Sequence, residues 1–245
     1  MDSSSAPLLV VIDGPAGAGK TTVSRQLALR LGLPLLDTGA IYRTLALAAD
    51  RRGIAWDDEE GLSRLCEGFP IAFGPLEEGM PQRVTFDGED VTRLIREPRI
   101  SEGASRVSRH PRVRASLLPI QRALGESGCV AEGRDMGTVV FPHARYKFFL
   151  TADLQTRALR RHEELAEEGG AAPHLGEVER TIEARDLRDS GRKVAPLTKA
   201  ADAIVVDTSE LGIEAVLERI LETIDRRGGT VPTASGMAGR DAGPR

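Results

Sequence analysis

Three glycines, a lysine and a hydroxyl stand at fixed spacing near the start of the chain, in Gly14-Pro15-Ala16-Gly17-Ala18-Gly19-Lys20-Thr21, with Thr22 next. Glycine lets a backbone wrap an anion closely where a Cβ would clash or forbid the turn. Consecutive N–H groups then point inward and form an anion-binding concavity. A lysine at this spacing reaches the outer phosphates of a nucleoside triphosphate, and the hydroxyl of Thr21 is placed to hold Mg²⁺. The pattern requires a strand before it and a helix after it. The apolar run Leu8-Leu9-Val10-Val11-Ile12 precedes it, and the helix-like stretch from Thr22 to Leu31 follows. The positive end of that helix's dipole adds to the anion site.

Three further segments bring charge to the ends of predicted elements. Asp37-Thr38-Gly39-Ala40-Ile41-Tyr42-Arg43 closes one apolar run and opens a helix, so Arg43 lies near a first turn, where anions are met. Taken alone, Arg43 fits a solvated surface charge equally well. Glu132-Gly133-Arg134-Asp135-Met136-Gly137-Thr138 places an Arg–Asp pair between two glycines at another strand end. Core packing explains that poorly, and a structural ion pair is the alternative to a binding role. In Arg185-Asp186-Leu187-Arg188-Asp189-Ser190-Gly191-Arg192, helical spacing puts Arg185, Arg188, Asp189 and Arg192 on one broad face. That face reads as a salt-bridged solvent surface or as an arginine-rich lid over a transferring phosphate. Arg157, Arg160 and Arg161 on the preceding helix strengthen the lid reading.

The elements that must position these groups are legible in the apolar pattern. Short β-prone runs at Leu8–Ile12, Leu33–Leu36, Cys129–Ala131, Lys147–Leu150 and Ala203–Val206 alternate with helical stretches. This predicts a buried parallel sheet with helices on both faces. Several runs end in an acid, at Asp13, Asp37, Glu132 and Asp207, and the carboxyl ends of such strands are where ligands bind. Leu211 to Arg227 carries Ile213, Val216, Leu217, Ile220, Leu221 and Ile224 on one stripe, the period of a core-facing helix. Asp153 is predicted to cap a helix from Leu154 to Glu167, which Gly169-Gly170 ends. Between about Ile71 and Glu102 two short antiparallel strands, Ile71-Ala72-Phe73 and Val84-Thr85-Phe86, with Asp87-Gly88 as a turn, mark a small β-containing insertion.

At 245 residues the chain can bury one substantial core with an appended subdomain. The formal net charge of −4 supplies no global basic field for nucleic acid or a membrane. Four residues are lysine, and nearly all remaining positive charge is arginine, the better two-pronged phosphate binder. Two separated cysteines, Cys66 and Cys129, suit neither a metal cluster nor a disulfide framework and read as buried thiols in a reducing cytosol. The opening residues lack a basic n-region and the apolar run after them is too short to span a membrane, so a cytoplasmic location is expected.

The segments Ile12-Asp13-Gly14-Pro15, Leu36-Asp37-Thr38-Gly39-Ala40-Ile41-Tyr42-Arg43, Asp87-Gly88-Glu89-Asp90-Val91-Thr92, Pro111-Arg112-Val113-Arg114, Gly133-Arg134-Asp135-Met136-Gly137-Thr138-Val139-Val140-Phe141-Pro142, Arg185-Asp186-Leu187-Arg188-Asp189 and Ala195-Pro196-Leu197 resemble those of the bacterial cytidylate kinases, a branch of the nucleoside monophosphate kinases. The resemblance runs from about Leu8 to Arg227 in one order. The phosphate loop is shared widely, whereas the Gly-Arg-Asp-Met-Gly-Thr stretch and the insertion's Gly-Glu-Asp-Val are far more specific. It implies an α/β P-loop nucleoside monophosphate kinase fold: a five-stranded parallel sheet with helices on both faces, a small β-containing monophosphate-binding insertion and a helical lid. The implied layout is a core of 8–66, 111–156 and 196–227, an insertion of about 67–110 and a lid of about 157–195, with disordered tails at 1–7 and 228–245.

The implied activity is phosphoryl transfer from ATP, with Mg²⁺, to CMP or dCMP by a monomer that binds neither nucleic acid nor membrane. Gly14 to Thr22 and Arg160 would hold the donor. Ser105, Arg114 and Asp135 would read the cytosine edge with help from Arg192. Tyr42, Arg185 and Asp189 would face the ribose, and Arg43 and Arg134 would grip the monophosphate beside Asp37. Lys20, Arg134 and Arg188 would stabilise the transferring charge. The chain departs from the family pattern at Glu132, where Asp is common, and at Thr38, where Ser also occurs; each keeps the functional group and changes its reach. A kinase for another small acceptor remains the alternative. A GTPase-type switch would need an Asn-Lys-x-Asp base-reading motif, which the sequence lacks. A P-loop nucleic-acid binder is disfavoured by the acidic charge and by an aromatic content of 4%.

Overall fold

Residues 7–167 and 173–229 are described by the structure, a computed structural model. β1 (Leu9–Asp13) leads through the glycine loop into α1 (Lys20–Leu31), followed by β2 (Leu35–Asp37), α2 (Thr38–Arg51) and α3 (Glu59–Leu65). Next come β3 (Ile71–Phe73), β4 (Val84–Phe86), β5 (Glu89–Asp90), α4 (Pro98–Val107) and α5 (Pro111–Leu124). The chain continues through β6 (Cys129–Gly133), β7 (Tyr146–Thr151), α6 (Leu154–Glu167), α7 (Leu175–Ser190), β8 (Ile204–Asp207) and α8 (Ile213–Arg226).

The main sheet has the order β2-β6-β1-β7-β8, with every pairing parallel. All five strands fall on the predicted apolar runs, displaced by no more than a residue or two. β6 slots between β2 and β1, in the register Asp13↔Gly133 and Asp37↔Glu132. The order of strands therefore brings the loops after β1, β2 and β6 to one carboxyl edge, beside the point where the winding reverses direction.

Alternation along β1 divides the core. Val10 and Ile12 pack with Val23 and Leu27 of α1 and with Val216, Leu217, Ile220 and Ile224 of α8. Val11 points the other way, into a cluster built on Ile41 and Leu45 of α2 and Val113 and Leu117 of α5. The predicted stripe on α8 holds except at its start. Ile213 is 42% exposed, because it occupies the first helical position, ahead of the turns that lie on the sheet.

β3, β4 and β5 form a separate antiparallel sheet. Asp87 and Gly88 have φ of 51° and 77°, the left-handed pair that a two-residue primed hairpin requires. They join β4 to β5, a strand the sequence reading did not anticipate. Val84, Phe86, Val91, Ile95, Ile100, Ala104 and Val107 continue the α2 cluster without a break, so this insertion shares the main core. Asp153 caps α6 as predicted, its Oδ1 accepting from the Thr156 N–H at 2.8 Å. The predicted stop at Gly169-Gly170 lies outside the described residues, as do 1–6 and 230–245. Gly228 and Gly229, assigned to the tail from the sequence, instead close α8, donating to the carbonyls of Asp225 and Ile224 at 2.8 and 2.9 Å. Both cysteines are buried and unbridged, and burial pushes each thiol up to about 12, which leaves them unreactive. Among the described residues no helix is long and apolar enough to cross a membrane.

Candidate active site

The loop after β1 is held by positions where no Cβ fits. Gly14 has φ of 151°, and a Cβ there would lie 2.0 Å from the Leu150 carbonyl oxygen. Gly17 and Gly19 are left-handed at 74° and 79°, and Gly19 opens α1. Ala18 is buried in the core between, anchoring the loop from below. Lys20 is buried and donates from Nζ to the Pro15 carbonyl at 2.6 Å, folded along the loop. Burial lowers its pKa, the Arg134 and Arg185 guanidiniums lower it further, and the Glu132 carboxylate opposes them. Thr21 donates through Oγ1 to Glu132 Oε2 at 3.1 Å, and Thr22 is exposed beside it.

Lys20, Arg43, Arg134 and Arg185 line one cavity of about 350 Å³ together with Thr21, Thr22, Asp37 and Glu132. Six cationic side chains face three acidic ones there, since Arg96 and Arg161 join the cations and Glu164 the acids. Burial and then the Arg134 charge push Arg185 below its ordinary value; Arg43 and Arg192 act the same way and Asp189 opposes. Arginine still keeps its proton at neutral pH. The cavity is therefore electrostatically stressed until an anion enters. Arg43 Nε and Arg185 Nε are buried without a hydrogen-bond partner, the state in which a polar group calls for a ligand.

A second, inner pocket adjoins the first and shares Gly39, Gly133, Arg134 and Arg185 with it. Tyr42, Ser105, Arg114, Asp135, Asp189 and Arg192 line it. They come from five places in the chain. Tyr42 is on α2, whose first turn Asp37 caps by accepting from the Ala40 N–H at 2.9 Å while its other oxygen takes Arg43 at 2.7 Å. Ser105 is on α4, with its hydroxyl buried and unpartnered. Arg114, on α5, forms a buried ion pair with Asp135, donates to the Ser108 carbonyl at 3.1 Å and stacks 5.4 Å from the Tyr42 ring centroid. Asp189, near the end of α7, takes Arg134 Nε at 2.8 Å and also pairs with Arg192, which lies just beyond the helix. The pocket holds about 60 Å³, room for roughly two waters at about 30 Å³ each. A ring enters only when some of these side chains move.

Around the glycine loop, Arg157 donates to the Ala16 carbonyl at 3.0 Å and pairs with Asp186, whose Oδ1 accepts from the Ala16 N–H at 3.2 Å. Arg160 grips Thr208, donating to its hydroxyl and carbonyl at 2.9 and 2.6 Å. Arg188 stands apart from the other predicted residues. It lines neither cavity and pairs with Glu102 of α4 at 2.8 Å. The broad arginine face of α7 thus divides: Arg185 and Asp189 line the cavities, and Arg188, about 60° round the helix from Arg185, spans toward the insertion.

Glu132 was read from the sequence as an acid at a ligand-binding strand end and as a variation in reach, without a role of its own. The structure puts it beside Thr21, buried, with Oε1 unpartnered and facing the cavity. Burial, and next the neighbouring Asp37 charge, push its carboxyl above the usual range, against the pull of Lys20. A cation between Thr21 and Glu132 would relieve that penalty, so these oxygen donors fit Mg²⁺. Arg96 and Ser101 also reach the site with no sequence signal to announce them, since tertiary packing sets their orientation; Asp186, which lay in the arginine-rich segment without a role of its own, holds the Ala16 N–H.

The model of the cytidylate kinase family matches residues 10–226. The chain belongs to the cytidylate kinase family. Cytidylate kinase from Syntrophotalea carbinolica is 48% identical over 221 residues, which cover 90% of this chain and 93% of that one. The enzyme of that name from Pseudomonas savastanoi pv. phaseolicola is 49% identical over 90% of this chain and 96% of its own. The one from Pseudomonas paraeruginosa is 46% identical over 92% and 98%. The match covers the glycine loop, the insertion and the arginine helix alike, so the cytidylate kinase assignment applies to both chambers of the site.

Proposed function

We propose that this protein transfers the γ-phosphoryl group of ATP to CMP or dCMP, giving ADP and CDP or dCDP. The observation that carries the reading is the pair of joined chambers, one cationic and built on the glycine loop, the other presenting Arg114 and Asp135 side by side. Cytosine carries an amino donor beside ring acceptors. A carboxylate at Asp135 accepts from the amino group and the Arg114 guanidinium donates to the acceptors. Uracil would set a carbonyl against the Asp135 carboxylate, and a site built for a hydrogen bond rejects a partner that cannot make it.

In this reading Ser105 and Arg192 complete the base contacts, and Tyr42, Arg185 and Asp189 face the ribose. Arg43, steered by Asp37, and Arg134, steered by Asp189, hold the monophosphate. The second pKa of a phosphomonoester lies near ~6, so the attacking oxygen is already anionic at neutral pH and needs no general base. What remains is positioning and charge neutralisation along an in-line path. Residues 14–22 cradle the donor, with Arg160 beside it. Lys20 leaves the Pro15 carbonyl for the γ-phosphate, whose charge restores a lysine that burial disfavours. Thr21 and Glu132 would hold Mg²⁺, which would supply charge neutralisation for the donor phosphates. Arg188 joins the transferring group once it leaves Glu102. Both partners of that pair are more than a third exposed, so releasing it costs only about 0–1 kcal/mol.

Residues 157–195 act as the lid and 67–110 as the acceptor-side insertion, closing to exclude water when both nucleotides are present. A monomeric, cytoplasmic enzyme goes with this reading; light scattering tests the oligomeric state. The decisive assay is ADP release from Mg·ATP with CMP, dCMP, UMP, AMP and GMP as acceptors. CMP and dCMP are expected to lead the panel, and a higher rate with a purine monophosphate would overturn the proposal.

A further inference from the structure

We propose that Asp13 is a positioning residue: from the last position of the donor loop's own strand, its carboxylate aims the acceptor-binding pair Arg134 and Asp135. The inference rests on the acceptor reading above and deepens it. Asp13 ends β1 in register with Gly133, which ends β6. Beyond Gly133 the chain leaves the sheet, passes Arg134 and Asp135, and enters a π-helical turn, Met136–Val140. The first N–H groups of such a turn have no acceptor within it. Asp13 takes both of them, Oδ1 from the Met136 N–H and Oδ2 from the Gly137 N–H, each at 2.8 Å. The carboxyl is 3% exposed. Hydrogen bonds to an ionised acceptor are the strong kind.

The two-residue stretch that carries the acceptor contacts is thus held at both ends. The β6 ladder fixes it before Arg134, and Asp13 fixes it after Asp135. From that clamp the two side chains diverge, Arg134 to Asp189 and Asp135 to Arg114. Asp13 itself cannot drift. Gly14 follows it immediately, pressed so closely on the Leu150 carbonyl that no Cβ fits. One residue therefore sets the start of the donor loop through its backbone and the acceptor loop through its side chain. Asparagine could not replace it, since its single oxygen serves one N–H and its amide would confront the other. Burial pushes the Asp13 carboxyl up to about 6, a value that leaves it ionised at pH 8.

The test is calorimetric titration of full-length Asp13→Asn with CMP and with ATP separately at pH 8, with ¹⁵N spectra of the Met136 and Gly137 amides. The Kd for CMP is expected to rise tenfold or more, the Kd for ATP to stay within threefold, and both amide protons to move upfield. Equal factors for the two nucleotides, or no change in either, would overturn the positioning role. The wild-type preference for CMP over UMP, measured alongside, judges the acceptor reading independently. Should Asp13→Asn fail to fold, Asp13→Glu keeps both carboxylate oxygens and the charge but moves them by one methylene, which displaces the Met136 and Gly137 N–H groups they hold. The same selective loss of CMP binding is expected, and unchanged CMP binding in that variant would overturn the proposal.

Discussion

Replacing Arg114 by alanine separates recognition of the acceptor from recognition of the donor. The side chain is 7% exposed and its partner Asp135 4%. Removing one member of a buried ion pair leaves the other charged, desolvated and alone, at a cost of about 3–5 kcal/mol. For a chain of this size each kcal/mol lowers Tm by roughly 2–4 °C, so Arg114→Ala is expected to melt roughly 6–20 °C below the parent. The Ser108 carbonyl also loses a donor at 3.1 Å. The double variant Arg114→Ala/Asp135→Ala removes the stranded charge and should recover most of that loss in scanning calorimetry. Activity should not recover. Both variants lose the cytosine-reading edge, and kcat/KM for CMP is expected to fall at least about 100-fold, the scale of a lost charge-assisted contact of roughly 3 kcal/mol. The Kd for ATP should stay within about threefold, because Arg114 bonds to Ser108 and Asp135 in the inner pocket, which residues 14–22 do not line. Equal losses for both nucleotides, or a double variant no more stable than the single one, would refute the reasoning.

Gly14→Ala places a Cβ 2.0 Å from a backbone oxygen that cannot yield; a cost of about 3 kcal/mol or more is expected, visible as a lower urea midpoint and weakened ATP binding. The Asp13 carboxyl is raised from 3.8 to about 6 by burial, opposed by the Gly137 and Met136 N–H groups, with the Asp135 charge adding to the rise and Lys20 countering it. A raised acid binds its proton more tightly in the folded state, so its stabilising contribution is complete below pH 3.8 and is lost as pH climbs through 6. The parent should lose about 2 kcal/mol relative to Asp13→Asn between pH 4 and pH 7 in urea titrations, and a flat difference would show that the group does not titrate there. Hydrogen exchange over 157–195 should slow only when both nucleotides are bound. Protection unchanged by the pair would remove the lid from the account.

Much of this arrangement was legible before any coordinates. The five strands were readable because each is a short apolar run, buried on both faces in all but the edge strand β8, and the donor loop because its glycines answer a steric demand that no other residue meets. Arg43, Arg134 and Arg185 were recognisable as charge at the ends of such elements, and the structure brings them to one cavity with Lys20. Residues whose role depends on a neighbour distant in sequence were not legible. Asp13 looks like any polar residue at a strand end until β6 is paired beside β1. Glu132 acquires meaning only when Thr21 lies 3.1 Å away. Arg188 lies only about 60° round the helix from Arg185, so their spacing gives no sign that one lines the cavity while the other pairs with Glu102; the packing of α7 decides it. β5 was missed because two residues, Glu89 and Asp90, carry no apolar period at all.

The central claim is that a carboxylate and a guanidinium, facing the triphosphate cradle, choose cytosine by its amino group. The most direct measurement is the ratio of kcat/KM for CMP to that for UMP, in the parent and in Asp135→Asn. An asparagine amide can donate to the uracil carbonyl that the carboxylate repels, so the ratio should favour CMP strongly in the parent and fall at least about tenfold in the variant, the minimum expected for one hydrogen bond exchanged. A ratio that stays the same in both proteins contradicts the account.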